Sequence, residues 1–217
     1  MLLLALDTAT PAVTAAVADL TRAGDVVLAE STVIDARGHG ELLAPAIGKV
    51  LAEAGIHPRE LGAVAVGVGP GPFTGLRVGV VTARVLGAVL DIRVLGICSL
   101  DALSLAGGLT GPHVVATDAR RREVYAATYD GRERTDGPYV GPASQFATHD
   151  PAVGQGALLH PDEFPRAQPP EHLDAGALCR WVAADLPTLP PSPLYLRRPD
   201  AEVPGARKRA LGPAGGR

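Results

Sequence analysis

The sequence predicts an α/β fold in two lobes, with mixed sheets flanked by helices. Three observations carry that expectation. An apolar stretch closed by an aspartate, then a short turn and another β-rich stretch, occurs twice, once ending at Asp7 and once at Asp118. A strand–helix–strand unit, 61–68, 74–90 and 93–97, needs a parallel pairing because its two strands are joined by a helical crossover. Between the halves, Gly107-Gly-Leu-Thr-Gly-Pro112 reads as a break.

The elements follow in order. Leu2 to Leu6 is apolar throughout, as a strand buried on both faces must be. After the turn Thr8-Ala-Thr-Pro11, stretches 13–18 and 26–33 continue as strands, and short connections make the three an antiparallel meander. Residues 41–54 read as a helix with Pro45 tolerated in its first turn and Gly55 at its C-terminal cap. Thr74 is placed to cap the helix 74–90, and Ser99 to cap a further helix, 100–106. In the second half, 113–117 and 123–129 read as strands, with Tyr139 in a third. Proline dominates from Gly141 onward, and only 173–186 reads as a helix there. The expected organisation is a first lobe, 1–106, a smaller proline-rich lobe, 107–204, and a disordered basic tail, 205–217, containing Arg207-Lys-Arg209. Two lobes that each open strand–Asp–turn–strand are what an actin-like nucleotide-binding fold shows.

Composition narrows function. The chain has 217 residues, 47% of them apolar, which suffices for a sizeable core. Its net charge is −3 and only 4% of residues are aromatic, so strong nucleic-acid binding by the chain alone and base-stacking platforms are disfavoured. Cys98 and Cys179 lie far apart without a CxxC pattern, against a disulfide framework or a thiolate metal site. No apolar run is expected to reach membrane-spanning length and the start lacks a signal-like pattern, so no membrane partner and a cytoplasmic location are expected.

The densest motif is Gly67-Val-Gly-Pro-Gly-Pro-Phe-Thr-Gly-Leu-Arg-Val-Gly79. Glycine and proline at this density fix a sharp strand-to-helix turn, and a helix N-terminus attracts anions. It matches neither a dinucleotide fingerprint nor a P-loop, so a plain tight turn competes with a phosphate or partner site. Asp7 and Asp118 each end a strand where a carboxylate can hold hydrated Mg²⁺ against phosphates, or simply accept the turn's own N–H groups. The turn Asp7-Thr-Ala-Thr10 offers hydroxyls but no glycine. His39 reads as a surface or cap residue. No HExxH or other metal-ligand spacing occurs, and no nucleophile elbow, so no metal and no catalytic residue are assigned. The helices 41–54 and 74–90 carry more apolar residues than one buried face needs, and Gly79, Ala83 and Gly87 form a smooth stripe, which points to a packed partner.

Five ordered motifs carry a family resemblance: Leu4-Ala-Leu-Asp-Thr-Ala-Thr10, Arg37-Gly-His39, Gly69-Pro-Gly-Pro-Phe-Thr-Gly-Leu-Arg77, Asp118-Ala-Arg-Arg-Arg-Glu-Val-Tyr125 and Pro193-Leu-Tyr-Leu-Arg197. On these the chain resembles the TsaB family, also called YeaZ, from Leu3 to about Arg197. The resemblance implies an actin/hexokinase/Hsp70-like fold without catalysis of its own. It implies a heterodimer with TsaD, which transfers a threonylcarbamoyl group to N6 of adenosine 37 in ANN-decoding tRNAs, and a TsaE ATPase joining the assembly. The tRNA is met indirectly through that complex, and the chain alone is expected to homodimerise. Read with the helical pattern, the resemblance places the partner surface on His39, Leu43, Ile47, Val50, Arg77, Val80, Ala83, Arg84 and Gly87. It makes Gly69, Pro70, Gly71, Phe73, Thr74 and Gly75 the signature loop. Asp7, Thr8, Thr10 and Asp118 become a degenerate nucleotide site; no cofactor of the chain's own is implied, with ATP or ADP left to the heterodimer interface. Pro72 departs from the family's serine, removing a hydroxyl and an N–H. The alternative function is an actin-fold ATPase or small-molecule kinase using Asp7 and Asp118; a metalloprotease lacks any supporting spacing.

Overall fold

β1 (Leu2–Asp7) is central because both its faces are apolar, Leu3 and Ala5 on one side and Leu4 and Leu6 on the other. It pairs antiparallel with β2 (Ala12–Asp19), and β2 pairs antiparallel with β3 (Val27–Ile34). On its other edge β1 runs parallel to β4 (Leu61–Gly67), which runs parallel to β5 (Arg93–Ile97). The first sheet therefore has the order β3-β2-β1-β4-β5. In this computed structural model, residues 1–24 and 26–197 are described.

A second sheet repeats the plan. β6 (Pro112–Asp118), β7 (Glu123–Asp130) and β8 (Glu133–Pro142) form an antiparallel meander, and β9 (Ala152–Val153) and β10 (Ala167–Gln168) add in parallel beside β6. Its order, β8-β7-β6-β9-β10, matches the first strand for strand. Two mixed sheets of one topology, flanked by helices, make the actin-like two-lobed fold that the sequence predicts.

α1 (His39–Ala54) and α2 (Phe73–Leu90) cover the outer face of the first sheet, where Leu43, Ile47, Val50 and Val80 join Leu4, Leu6, Val13 and Val17. α3 (Ser99–Gly107) leaves the first lobe to pack on β6 and β7. In return α5 (Ala175–Ala183) lies on β1, β2 and β3 of the first lobe. That inner face is built of Ala5, Ala16, Ala18, Ala63 and Ala65, small enough to admit Leu178 and Trp181 closely. The docking is also hydrogen-bonded: Ala175 N donates to Thr14 Oγ1 at 2.9 Å and Gly176 N to Glu30 Oε1 at 3.4 Å. Burial, with Asp174 nearby, raises the Glu30 carboxyl above its ordinary range.

Several boundaries differ from the sequence expectation. α1 begins at His39, so Pro45 lies in its second turn, while Gly55 closes it at φ 68° as expected. Pro72, not Thr74, precedes α2 as its cap residue; its carbonyl accepts from Leu76 N at 3.1 Å and no side chain caps the helix. Ser99 is the first residue within α3, behind Cys98, because its hydroxyl is engaged elsewhere. The helix expected over 173–186 is the shorter α5, and a four-residue helix, α4 (Gln155–Leu158), lies in the proline-rich part. α2 also corrects the membrane reading: at 18 residues and mean hydropathy 1.5 it is long and apolar enough to cross a membrane, yet one side of it packs on the sheet. The basic tail lies outside the described residues.

Candidate functional site

The residues of the five motifs converge on the mouth between the lobes. Asp7 ends β1 fully buried. Its Oδ1 accepts from Ala9 N at 2.7 Å and its Oδ2 from Ser99 Oγ at 2.5 Å, and Ser99 Oγ in turn accepts from Gly69 N at 3.1 Å. Burial pushes its carboxyl up to about 6, against the opposing pull of these hydrogen bonds and of His39. The turn-capping role has prevailed here: the carboxylate ties β1 to α3 and to the signature loop, and it does not line the cleft.

The signature loop serves close packing. A Cβ on Gly71 would overlap the carbonyl of Ala9, and one on Gly75 the carbonyl of Thr8. Thr8 Oγ1 donates to Gly75 O at 2.7 Å and accepts from Gly79 N at 3.0 Å. His39, buried at the start of α1, sets its Nε2 at 2.8 Å from Thr10 O. The β1–β2 turn is thus clamped between α1 and α2, which leaves its backbone little freedom to wrap a phosphate.

Around this clamp runs a cleft of about 400 Å³ lined by Thr8, Thr10, Arg37, Thr74, Asp118 and Arg120, among others. Of the four nucleotide-site candidates, Thr8, Thr10 and Asp118 are brought together and Asp7 is not. Asp118 Oδ1 accepts from Arg120 N at 2.8 Å, fixing the β6–β7 tip, where Arg120, Arg121 and Arg122 all adopt left-handed φ of 61°, 58° and 62°. Tyr195 and Arg197, in the motif Pro193–Arg197, take roles that no local sequence pattern announces. Tyr195 Oη accepts from Arg77 Nε at 2.9 Å and its ring lies 4.6 Å from that of Phe73. Arg197 donates to Ala119 O at 2.9 Å and pairs with Glu123. The last described segment therefore straps α2 to the second lobe. No group of three His, Cys, Asp or Glu close enough to hold a metal occurs among the described residues.

The expected partner surface needs correction. Leu43, Ile47, Val50, Val80 and Ala83 lie in the first lobe's own core, His39 is buried at the clamp, and Gly79 and Gly87 face Thr8 and Val94. The small-residue stripe lets α2 approach its own sheet. Only Arg77 and Arg84 of the proposed set are exposed. The outward face of α2 instead carries Val81, Val85 and Val89, exposed by 55%, 55% and 76%. α1, which packs against α2, exposes Gly40, Ala44, Gly48 and Ala52, one per turn.

The family model described as TsaD, tRNA N6-adenosine threonylcarbamoyltransferase, matches residues 27–147. A Bacillus subtilis protein named tRNA threonylcarbamoyladenosine biosynthesis protein TsaB is 35% identical over 109 residues, 48% of this chain and 46% of that protein. The chain belongs to the TsaB/YeaZ family. An uncharacterised protein of Mycobacterium tuberculosis is 47% identical over 202 residues, covering 92% of this chain and 93% of that one. Among solved structures, a Pseudomonas aeruginosa protein described as similar to peptidase YeaZ superposes with a TM-score of 0.76 at 26% identity, covering 90% of this chain and 99% of that one. TsaB/YeaZ membership places the chain in threonylcarbamoyladenosine biosynthesis.

Proposed function

We propose that this TsaB/YeaZ chain is a non-catalytic subunit that pairs with a TsaD-like transferase through the outward faces of α1 and α2, and so supports N6-threonylcarbamoylation of ANN-decoding tRNA. The valine ridge Val81–Val85–Val89 carries the reading. Three β-branched apolar residues in a row on one helix face make a ridge, and the Gly and Ala exposed on the neighbouring α1 make a low strip, the two forms that interdigitate when helices pack. Apolar surface gathered in this way marks an interaction site rather than scattered exposure. The same ridge and strip are self-complementary about a two-fold axis, so a second copy takes the partner's place when the chain is alone. A TsaE-like ATPase joins the pair in this reading, and any ATP or ADP sits at the heterodimer interface, not against Asp7. The sealed geometry of Asp7 supports a subunit without chemistry of its own and weighs against a kinase that would use it.

The test is co-purification with the TsaD-like subunit and reconstituted tRNA modification with and without this chain. Val81→Glu with Val85→Glu is expected to abolish both the heterodimer and the stimulation while the monomer stays folded. Wild-type co-elution of that double variant would show that the ridge is not the interface.

A further inference from the structure

The cleft of about 400 Å³ continues into a second hollow of about 330 Å³, because both are lined by Pro72, Thr74 and Arg120. Arg37 stands at one end of this groove, and Arg121 and Arg197 at the other. Its floor is the start of α2, a helix end with no acidic residue in its first turn and no side-chain cap. Among the described residues near the groove, Asp118 accepts from Arg120 N and Asp35 from the amides of Arg37 and Gly38, while Glu123 pairs with Arg197, which therefore adds no net charge there. Arg120, Arg121 and Arg122 are all exposed at the β6–β7 tip, and Arg122 lies outside the lining of either hollow. Arg37 and Arg120 along the groove and Arg122 beyond it thus carry positive charge onto the open tip.

We propose that this arginine rim holds the phosphate backbone of the RNA that the assembled enzyme modifies; the inference rests on the subunit reading above. Guanidinium groups recognise phosphate bidentately, and several in a row along a ridge suit a polyanion whose charges repeat, whereas a small anion needs only one end of the groove. The tip, Asp118-Ala-Arg-Arg-Arg122, carries no aromatic residue, and the two aromatics of the adjoining hollow are already engaged, Phe73 against Tyr195 and Tyr125 in the core. Contacts of this kind position an RNA without reading its sequence. They also agree with a chain whose net charge of −3 keeps it from binding nucleic acid tightly alone.

The test is a titration with labelled tRNA across a series of salt concentrations, using the full chain alone and in complex with the TsaD-like subunit. The triple variant Arg120→Asn, Arg121→Asn, Arg122→Asn keeps residues that tolerate left-handed φ. Its complex is expected to bind tRNA at least ~10-fold more weakly at low salt, with the slope of log affinity on log salt smaller by roughly 2. The matching triple lysine variant keeps the slope. Arg37→Gln, on the opposite lip, lowers it by about 1 or less and serves if the hairpin does not accept three changes. A wild-type slope in both the asparagine triple and Arg37→Gln overturns the proposal. The same variants are titrated in parallel with inorganic triphosphate, and loss of triphosphate binding with tRNA binding intact also overturns the proposal, assigning the rim to a small polyanion. Failure to co-purify with the TsaD-like subunit counts against the subunit reading, while the slope on the chain alone still decides the arginines.

Discussion

In the first lobe, the sheet face that looks away from its twin lies under α1 and α2, of 16 and 18 residues. In the second, the matching face of β6–β8 has a 3₁₀ turn, Ala143–Phe146, and the four-residue α4. The strand order is the same in both. What the second lobe lacks is cover, and a groove of about 770 Å³ lined by Val114, Ala126, Tyr139 and Phe146 lies over its sheet. The two inner faces, by contrast, are both closed, each by a helix from the other lobe. The difference teaches that the strand plan and the joint between lobes are independent of the outer helices. Where those helices persist, their outward sides carry the unpaired apolar surface.

That contrast can be broken experimentally, most severely at the turn that aims α2. Gly71→Ala puts a Cβ into the Ala9 carbonyl, which is backbone and cannot step aside. Urea unfolding is expected to show a loss of about 3 kcal/mol or more. Next comes the helix cover itself. Leu43→Ala, in the packed α1 interface, should cost about 3 kcal/mol, whereas Phe146→Ala, half-buried at the lip of the second-lobe groove, should cost about 1–2 kcal/mol. Equal losses would mean that the two outer faces are packed alike.

Asp7 supplies a test by pH. Its folded carboxyl titrates at about 6 against an ordinary 3.8. Between those values the unfolded chain has released a proton that the folded chain still holds, so stability falls as pH rises through that window and levels off above it. The fall across that window is about 3 kcal/mol, at about 1.4 kcal/mol for each pH unit. Asp7→Asn should flatten the curve between pH 4 and 7, measured as the urea midpoint at each pH. The smallest effect on the fold belongs to Val85→Glu, which should shift stability by no more than ~0.5 kcal/mol while weakening the proposed pairing with a TsaD-like subunit, read by co-purification, by about 30-fold or more.

Much of the first lobe was legible because its elements are long enough to repeat. The all-apolar β1, the crossover through α2 and the Gly55 cap each state their conformation in several consecutive residues. In the second lobe, β9 and β10 have two residues each and α4 has four, too few for any period to show. The site was legible in its residues more than in its geometry. Gly79, Ala83 and Gly87 correctly announce close approach, but spacing alone does not say whether the neighbour is a partner helix or the chain's own Thr8 and Val94. Ser99 and Thr74 looked like caps because a hydroxyl before an apolar run is the usual sign. One is drawn instead to the buried Asp7, 92 residues away in sequence. Such long-range ties leave no local trace.

The exchange of α3 and α5 between the lobes also bears on how the protein is made. Leu3, Ala5, Ala16 and Ala63 emerge from the ribosome early, yet the helix that shields them, α5, is among the last described elements to be synthesised. Until it arrives, the first sheet has one open apolar face, and no cut between the lobes yields two self-sufficient halves. Folding of the two lobes is therefore expected to be coupled, because each inner face is closed by the other lobe's helix.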